Sequence, residues 1–255
     1  MNNLTKNIFF ILFLSSFLLI VNCNAEELIP TEKNNKWGYC NGKDEISIPY
    51  QWDYCSEFRN NKTAIVGMYS KETDSMTYGI IDAFGNYVVP CEYFIQSGES
   101  ESYFGDKNGY YLIKDFNLNL YGYFDIENNY FCTPKYSGVN IHLKNPENII
   151  SVCDPNTSFW GYIIANNENP VSDFCYIITG PWNNGSAIAD SLEGQYILLS
   201  DGNRVMIPEI YYANYSINKG LFIITNMDNQ YGLMNLEGAV ATHTWYDYIE
   251  YCDNE

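Results

Sequence analysis

The apolar residues of this chain fall into short runs that are rich in β-branched and aromatic side chains and are separated by glycine turns. In residues 78–94, YGIIDAFGNYVVPCEYF, one run covers Ile80 to Asp82 and a second covers Tyr87 to Val89, with a turn at Gly85 between them. Two such runs around a glycine turn indicate a β-hairpin. No window of helical length shows sustained apolar spacing at three and four residues, so the pattern predicts an all-β chain with few helices.

The same arrangement recurs along the chain, and each copy begins with an aromatic residue followed by glycine. These pairs are Trp37-Gly38, Tyr78-Gly79, Tyr121-Gly122, Trp160-Gly161 and Tyr231-Gly232. The last gap is 71 residues, and a degenerate copy at Gln195-Tyr196 divides it, which gives intervals of 41, 43, 39, 35 and 36. The spacing predicts six repeats that start near residues 37, 78, 121, 160, 195 and 231, within one domain over residues 26–255.

A third strand is expected in each repeat, because a looser segment ends in a short apolar run before the next aromatic-Gly pair. Examples are Thr63 to Met68, Ser186 to Ala189 and Gly220 to Thr225. A hairpin of about forty residues cannot bury its apolar face alone, so neighbouring repeats must stack. We expect the Trp or Tyr of each pair to pack between repeats and its glycine to allow close approach of backbones.

These motifs resemble the WG repeat of bacterial proteins, and the resemblance covers nearly all of the chain after the N-terminal segment. The residues that carry it are Trp37-Gly38-Tyr39, Trp160-Gly161-Tyr162-Ile163, Ile48-Pro49, Asp53-Tyr54, Asp82 and Asp125. Three copies have Tyr in place of Trp, and the fifth copy lacks the pair. The resemblance implies a β-rich repeat module, commonly exported, without a family active site.

Two assemblies of six repeats are compatible with this period. A period near forty suits the blade of a closed six-bladed propeller-like ring. The unequal intervals suit an open curved array of hairpins and three-stranded meanders. Since no strand from one end is seen to close a ring at the other, we expect the open array, with the closed ring as the alternative.

The first 25 residues have the features of an export signal. Lys6 precedes an apolar or small run from Ile8 to Val21, which is shorter than the roughly twenty residues that span a bilayer as a helix. Cleavage after Ala25 would release a soluble secreted chain. Alternatively, the segment ending at Cys23 resembles a lipoprotein box, in which Cys23 is lipidated. Both routes predict a secreted or cell-envelope protein, in the periplasm or at the surface. Only the second route gives it a membrane contact, through an N-terminal lipid anchor.

The charge balance narrows the range of ligands. The chain carries 31 acidic and 13 basic residues, a formal net charge of -18; removal of Lys6 with the signal leaves 31 against 12, or -19. Affinity for phosphate backbones comes from clustered Lys and Arg, and only Arg59 and Arg204 are arginines. Nucleic acid is therefore not expected as a partner. A hydrophobic share of 46% excludes a disordered chain.

Candidate chemistry is sparse. Of eight cysteines, Cys23 leaves or is lipidated, and the remaining seven are an odd number. Cys40 and Cys55 are a candidate disulfide that would close a loop of about fifteen residues and contribute about 3 kcal/mol; the alternative is that the cysteines are buried thiols. No Cys or His spacing indicates a metal, and the two histidines, His142 and His243, have no defined partner. We predict no catalytic residue, metal or cofactor.

The aromatic residues suggest a binding role. Rings are dense at Trp52 to Tyr54, Tyr103 to Tyr111, Tyr211-Tyr212 and Trp245 to Tyr251. Exposed rings on a repeat surface can bind a protein partner or stack on sugars. The sequence therefore predicts an exported, non-enzymatic binding or scaffold protein that mediates protein interactions at the cell surface. The alternative is a carbohydrate-binding or carbohydrate-active protein that uses surface aromatics, with a pair of carboxylates if it is an enzyme.

Overall fold

The computed structural model describes residues 27–59, 62–96, 109–141, 145–218 and 220–250. These residues form twenty β-strands and no helix, which confirms the all-β prediction. The expected export signal with Cys23, together with His142 and Cys252, lies outside the described residues.

The strands form four antiparallel sheets in which every hydrogen-bonded neighbour is also a neighbour in sequence. The first sheet contains β1 (Ile29–Lys33), β2 (Lys36–Cys40) and β3 (Ile46–Trp52). The second contains β4 (Tyr54–Cys55), β5 (Thr63–Ser70), β6 (Ser75–Asp82), β7 (Tyr87–Gln96), β8 (Tyr110–Asp115), β9 (Leu120–Asp125) and β10 (Tyr130–Tyr136). The third contains β11 (Gly138–Asn140), β12 (Ile149–Cys153), β13 (Trp160–Ile164), β14 (Tyr176–Thr179), β15 (Ser186–Ser191), β16 (Gly194–Leu199) and β17 (Arg204–Met206). The fourth contains β18 (Tyr211–Asn218), β19 (Leu221–Asn226) and β20 (Tyr231–Asn235).

Each aromatic-Gly pair lies in the central strand of a three-stranded unit, and the degenerate copy occupies the same place. The central strands of units 1 to 6 are β2, β6, β9, β13, β16 and β20. The first residue of the pair faces an equivalent position on the preceding strand in all six: Glu32↔Trp37, Gly67↔Tyr78, Lys114↔Tyr121, Cys153↔Trp160, Asp190↔Gln195 and Thr225↔Tyr231. In unit 6 the third strand is reduced to two bridges, Met234↔Val240 and Tyr231↔Tyr246.

At two of the five junctions the third strand of a unit also pairs with the first strand of the next, through β7 and β14, whereas at the other three the chain passes to a new sheet. In β7, Tyr93 pairs with Tyr78 of its own unit, and the adjacent Phe94 pairs with Lys114 of the next. After unit 1 the chain bends at Asp53, so that β3 stays in the first sheet and β4 joins the second. The units therefore follow one another as an open array, and none of the four sheets closes on itself. The open array is confirmed over the closed ring.

The apolar core is divided into five clusters, each between consecutive units. Unit 1 supplies Tyr39, Ile48 and Trp52 to a cluster completed by residues of β4, β5 and β6. Between units 5 and 6, Ile188 and Ile197 pack with residues of β18, β19 and β20. The three remaining clusters join units 2 and 3, 3 and 4, and 4 and 5. Stacking thus buries the apolar faces that single hairpins leave open.

In units 1, 3 and 4 the tyrosine two positions after the aromatic of the pair is fully buried, rather than that aromatic itself. Tyr39, Tyr123 and Tyr162 are each 0% exposed. Their hydroxyls donate hydrogen bonds to the carbonyls of Ser56, Ala165 and Gly180. The aromatics that we expected to pack between units, Trp37, Tyr78, Tyr121, Trp160 and Tyr231, are only partly buried.

In units 1, 2 and 3 the glycine of the pair is required by a close backbone approach. A Cβ at Gly38 would lie 2.6 Å from the Ile48 carbonyl oxygen, and one at Gly79 would lie 2.7 Å from the Val89 carbonyl oxygen. In both units the ladder to the third strand shifts register beside this glycine. In unit 5, Tyr196 stands in the glycine position and the β16–β17 ladder is regular. The shift in register thus occurs in units 1 and 2, which have the glycine, and not in unit 5, which lacks it.

Candidate functional site

A cleft of about 740 Å³ lies where the first sheet meets the second, and aromatic rings line much of it. The rings are Trp37 of β2, Tyr54 of β4, Tyr111 of β8, and Phe58 from the segment after β4. The volume is within the range of about 300–1,000 Å³ that is usual for small-molecule sites.

Three of these rings are held on strands by the ladder. Trp37 faces Glu32 on one side and Trp52 on the other. Tyr54 is paired with Gly67, and its ring meets Tyr78 edge to face, with centroids 6.2 Å apart. The backbone that carries these rings is therefore ordered before a ligand binds, which lowers the entropic cost of binding.

The wall formed by residues 56–59 is fastened to β5 by backbone and side-chain hydrogen bonds. The Ser56 N–H donates to the Ile65 carbonyl at 2.8 Å, and the Ile65 N–H donates to Ser56 Oγ at 2.9 Å. The Arg59 N–H donates to the Thr63 carbonyl at 2.7 Å. Phe58 packs on the Tyr39 ring, with centroids 4.7 Å apart. This wall is therefore preformed.

Among the described residues of the lining, two side chains are charged at neutral pH, those of Glu57 and Arg59. Burial raises the pKa of the Cys55 thiol to about 12, although a hydrogen bond with Tyr39 opposes the shift. Burial, reinforced by the nearby Tyr78 hydroxyl, also raises the pKa of Tyr54. One carboxylate and one guanidinium leave the described lining with no net charge.

Of the motif aromatics that the sequence singles out, Trp37 lines the cleft. Tyr78 does not line it among the described residues, but its ring contacts that of the lining residue Tyr54. Tyr121 lies under the Lys114 ammonium, 4.9 Å from its ring centroid, and Trp160 packs in the cluster between units 4 and 5. Tyr231 bridges to Tyr246. Equivalent repeat positions therefore have different surroundings.

Sequence reasoning missed Phe58, and it included Tyr111 only as part of an aromatic-rich stretch. Neither residue belongs to the repeat motif. Phe58 stands in a polar segment between two strands, where a single ring belongs to no repeat and to no alternation of apolar and polar residues. Only the contact between units 1, 2 and 3 brings the two rings to one cavity.

The proposed disulfide is not formed in the structure, where Cys40 and Cys55 are free, buried thiols. Cys40 Sγ lies 3.2 Å from the Tyr50 hydroxyl oxygen, and Cys55 is paired with Val66. The prediction placed both residues in strands of one unit. The bend at Asp53 instead sends Cys55 into the second sheet, so the two strands are not neighbours.

A second polar cluster surrounds Glu168. Its carboxylate accepts hydrogen bonds from the hydroxyls of Tyr130 at 2.5 Å and Tyr136 at 3.0 Å, and it pairs with the Lys135 ammonium. Burial opposes ionisation, but these three donors lower the pKa of Glu168. Because each carboxylate oxygen is engaged, the cluster ties the third strand of unit 3 to the turn of unit 4.

Residues that could hold a metal or act with histidine are not assembled in the described part of the chain. His243 is exposed, and no group of three or more His, Cys, Asp or Glu side chains is close enough to share an ion there. Within the same residues no helix is long and apolar enough to cross a membrane.

The chain matches no protein-family model and no curated protein. Among solved structures it is similar to the computationally designed Ika8 protein, at 8% sequence identity and a TM-score of 0.35, over 85% of this chain and 74% of that one. A similarity of this degree says nothing about function.

Proposed function

We propose that the chain is an exported, non-enzymatic binding module of WG-like repeats, and that the cleft between units 1 and 2 is its ligand site. The cleft with its four rings is the observation that carries the proposal. Membership of the WG-repeat group is part of it, supported by the aromatic-Gly pairs in five of the six equivalent central strands.

Contacts across the junction of the first two sheets support a preformed site. The Lys36 ammonium of β2 lies 2.6 Å from Asp53 Oδ1, and Asp53 Oδ2 accepts a hydrogen bond from the Tyr69 N–H of β5. The Trp52 indole N–H donates to the Tyr87 hydroxyl at 2.7 Å. These contacts connect unit 1, directly or through Asp53, to unit 2. A site that does not rearrange binds at lower entropic cost.

The partner we propose is a protein or a polysaccharide at the cell surface. Export follows from the N-terminal apolar run, with release by cleavage or retention through a lipid on Cys23. The strongly acidic chain disfavours nucleic acid and other polyanions.

Carbohydrate binding is the second candidate, favoured by the rings in the cleft. Stiff rings provide contact area at low entropic cost. Hydrolysis of a glycoside by the usual route uses two carboxyl groups, whereas Glu57 is the single carboxylate of the described lining. We therefore propose binding without cleavage.

A pull-down with the exported chain on intact producing cells tests the proposal. Wild type and Trp37→Ala are compared with Trp160→Ala, which removes the ring from the same repeat position outside the cleft. We expect wild type and Trp160→Ala to bind and Trp37→Ala to lose binding, with circular dichroism confirming that the variants are folded. Equal binding by a folded Trp37→Ala chain would show that the cleft is not the site.

A further inference from the structure

We propose that the cleft between units 1 and 2 binds a short, uncharged oligosaccharide. This inference rests on the proposed function, because it names the ligand of the same site. It starts from the four rings and from the polar side chains beside them.

Rings approach the cavity from several directions. Trp37, Tyr54 and Tyr111 come from β2, β4 and β8, and Phe58 comes from the wall segment. The apolar C–H faces of a pyranose ring can pack on such rings, while Trp and Tyr also keep a polar group at their edge. More than one ring around the cavity suits a ligand of more than one sugar unit.

Polar groups lie next to the rings. Glu57 is exposed at the rim, and its carboxylate forms no ion pair with another described residue. A carboxylate accepts hydrogen bonds from two neighbouring hydroxyls, and a guanidinium such as that of Arg59 donates to hydroxyl and ring oxygens. A sugar offers both donors and acceptors to such a pair.

Charge favours a neutral ligand. The charges of Glu57 and Arg59 cancel within the described lining, and the whole chain carries -18. A phosphorylated or uronic acid ligand would be repelled by the overall field. A proline-rich peptide also docks on aromatic grooves, but its prolines have no N–H to donate to the Glu57 carboxylate.

Calorimetric titration of the full exported chain with maltotriose, cellotriose, chitotriose and mannotriose is the test. We expect at least one to bind, with affinity about tenfold weaker in Trp37→Ala, because the loss of one stacked ring corresponds to roughly one power of ten. Trp160→Ala should bind as wild type. Glu57→Ala, at an exposed position that the fold does not depend on, should also weaken binding by about tenfold.

Salt provides an independent readout. Binding of an uncharged sugar should be equal in about 0.1 M and about 1 M NaCl, because no ion pair with the ligand is screened. An affinity that changes steeply with salt would contradict a neutral ligand.

The failures of the two proposals are distinguishable. If none of the four sugars binds, but binding to intact cells still requires Trp37, the oligosaccharide proposal is wrong and the cleft remains the ligand site. The same conclusion holds if a proline-rich peptide displaces the cell-surface ligand from the cleft. If the sugars do not bind and Trp37→Ala leaves cell binding unchanged, both proposals are wrong.

Discussion

Gln195 and Ala213 are joined by two buried hydrogen bonds between a side-chain amide and a backbone. The Gln195 amide N–H donates to the Ala213 carbonyl at 3.0 Å, and the Ala213 N–H donates to Gln195 Oε1 at 2.6 Å. Gln195 stands where the other units have Trp or Tyr, and Ala213 lies in β18, which leads to unit 6. Unit 5 therefore replaces a ring by a polar connection to the next unit.

Gln195→Leu should destabilise the chain by about 2–4 kcal/mol, because it leaves the buried N–H and carbonyl of Ala213 without partners. Urea unfolding at pH 7, followed by circular dichroism, measures the loss. Glu193→Gln, at a nearby exposed position, serves as the control and should change stability by less than about 0.5 kcal/mol. A loss of that small size for Gln195→Leu would show that the amide does not hold the two units together.

Gly79→Ala should cost about 1–3 kcal/mol through steric overlap. The added methyl carbon would lie 2.7 Å from the Val89 carbonyl oxygen and 2.9 Å from Cys91 Cα. Both are backbone atoms, so a change of side-chain rotamer cannot relieve the overlap. Gly42→Ala is the matched control, since a Cβ there has no atom within 4 Å. Thermal unfolding of the two variants compares them, and equal midpoints would contradict the close approach.

Glu168 should stabilise the fold in a pH-dependent way. Its folded pKa is lowered, so the folded chain binds fewer protons at this group than the unfolded chain, and stability falls as pH drops below about 4.5. At pH 7 Glu168→Gln should lose about 1–2 kcal/mol, because its side chain is 18% exposed and accepts charge-assisted hydrogen bonds. The difference from wild type should shrink as the pH is lowered.

Urea unfolding at several pH values measures this difference. The control is Glu193→Gln, which removes a carboxylate that accepts a single hydroxyl, from Tyr196, at 3.1 Å. A difference between wild type and Glu168→Gln that does not change between pH 7 and pH 3 would contradict the assignment.

Three cysteines, the buried Cys55 and Cys132 and the half-buried Cys91, should react slowly in the folded chain. Burial raises the pKa of Cys55 and Cys132 to about 12 and that of Cys91 to about 11. The thiolate is the reactive form, so labelling by an aromatic disulfide reagent at pH 8 should be at least about a hundredfold slower than in denaturant. Mass spectrometry of the unreduced chain should find Cys40 and Cys55 as thiols; a peptide that links them would contradict the structure.

The local pattern was sufficient to predict the strands. The predicted runs Thr63 to Met68 and Ser186 to Ala189 lie within β5 and β15, because the alternation of a strand and the chemistry of a glycine turn are read over a few residues. The glycines beside the aromatics were also predicted to allow close backbone approach, as Gly38 and Gly79 do.

The environment of a repeated residue was not predictable in this way. Trp37 and Trp160 stand at the same position of the motif and each packs against a core cluster, but only Trp37 of the two also lines the cleft. Their neighbours come from the adjoining unit, whose side chains differ from copy to copy. The disulfide predicted between Cys40 and Cys55 is absent for a related reason, because the chain passes from the first sheet to the second between them, at Asp53.

The sequence by itself therefore determined the class of fold, the order of the strands and the places where backbones meet closely, since these depend on residues near one another in the chain. Only the tertiary structure decided that the array is open, that the tyrosine two positions after the motif aromatic is fully buried in three units, and that four rings surround one cleft. Those features depend on how one unit packs against the next, and side-chain contacts between units leave no periodic signal in the sequence.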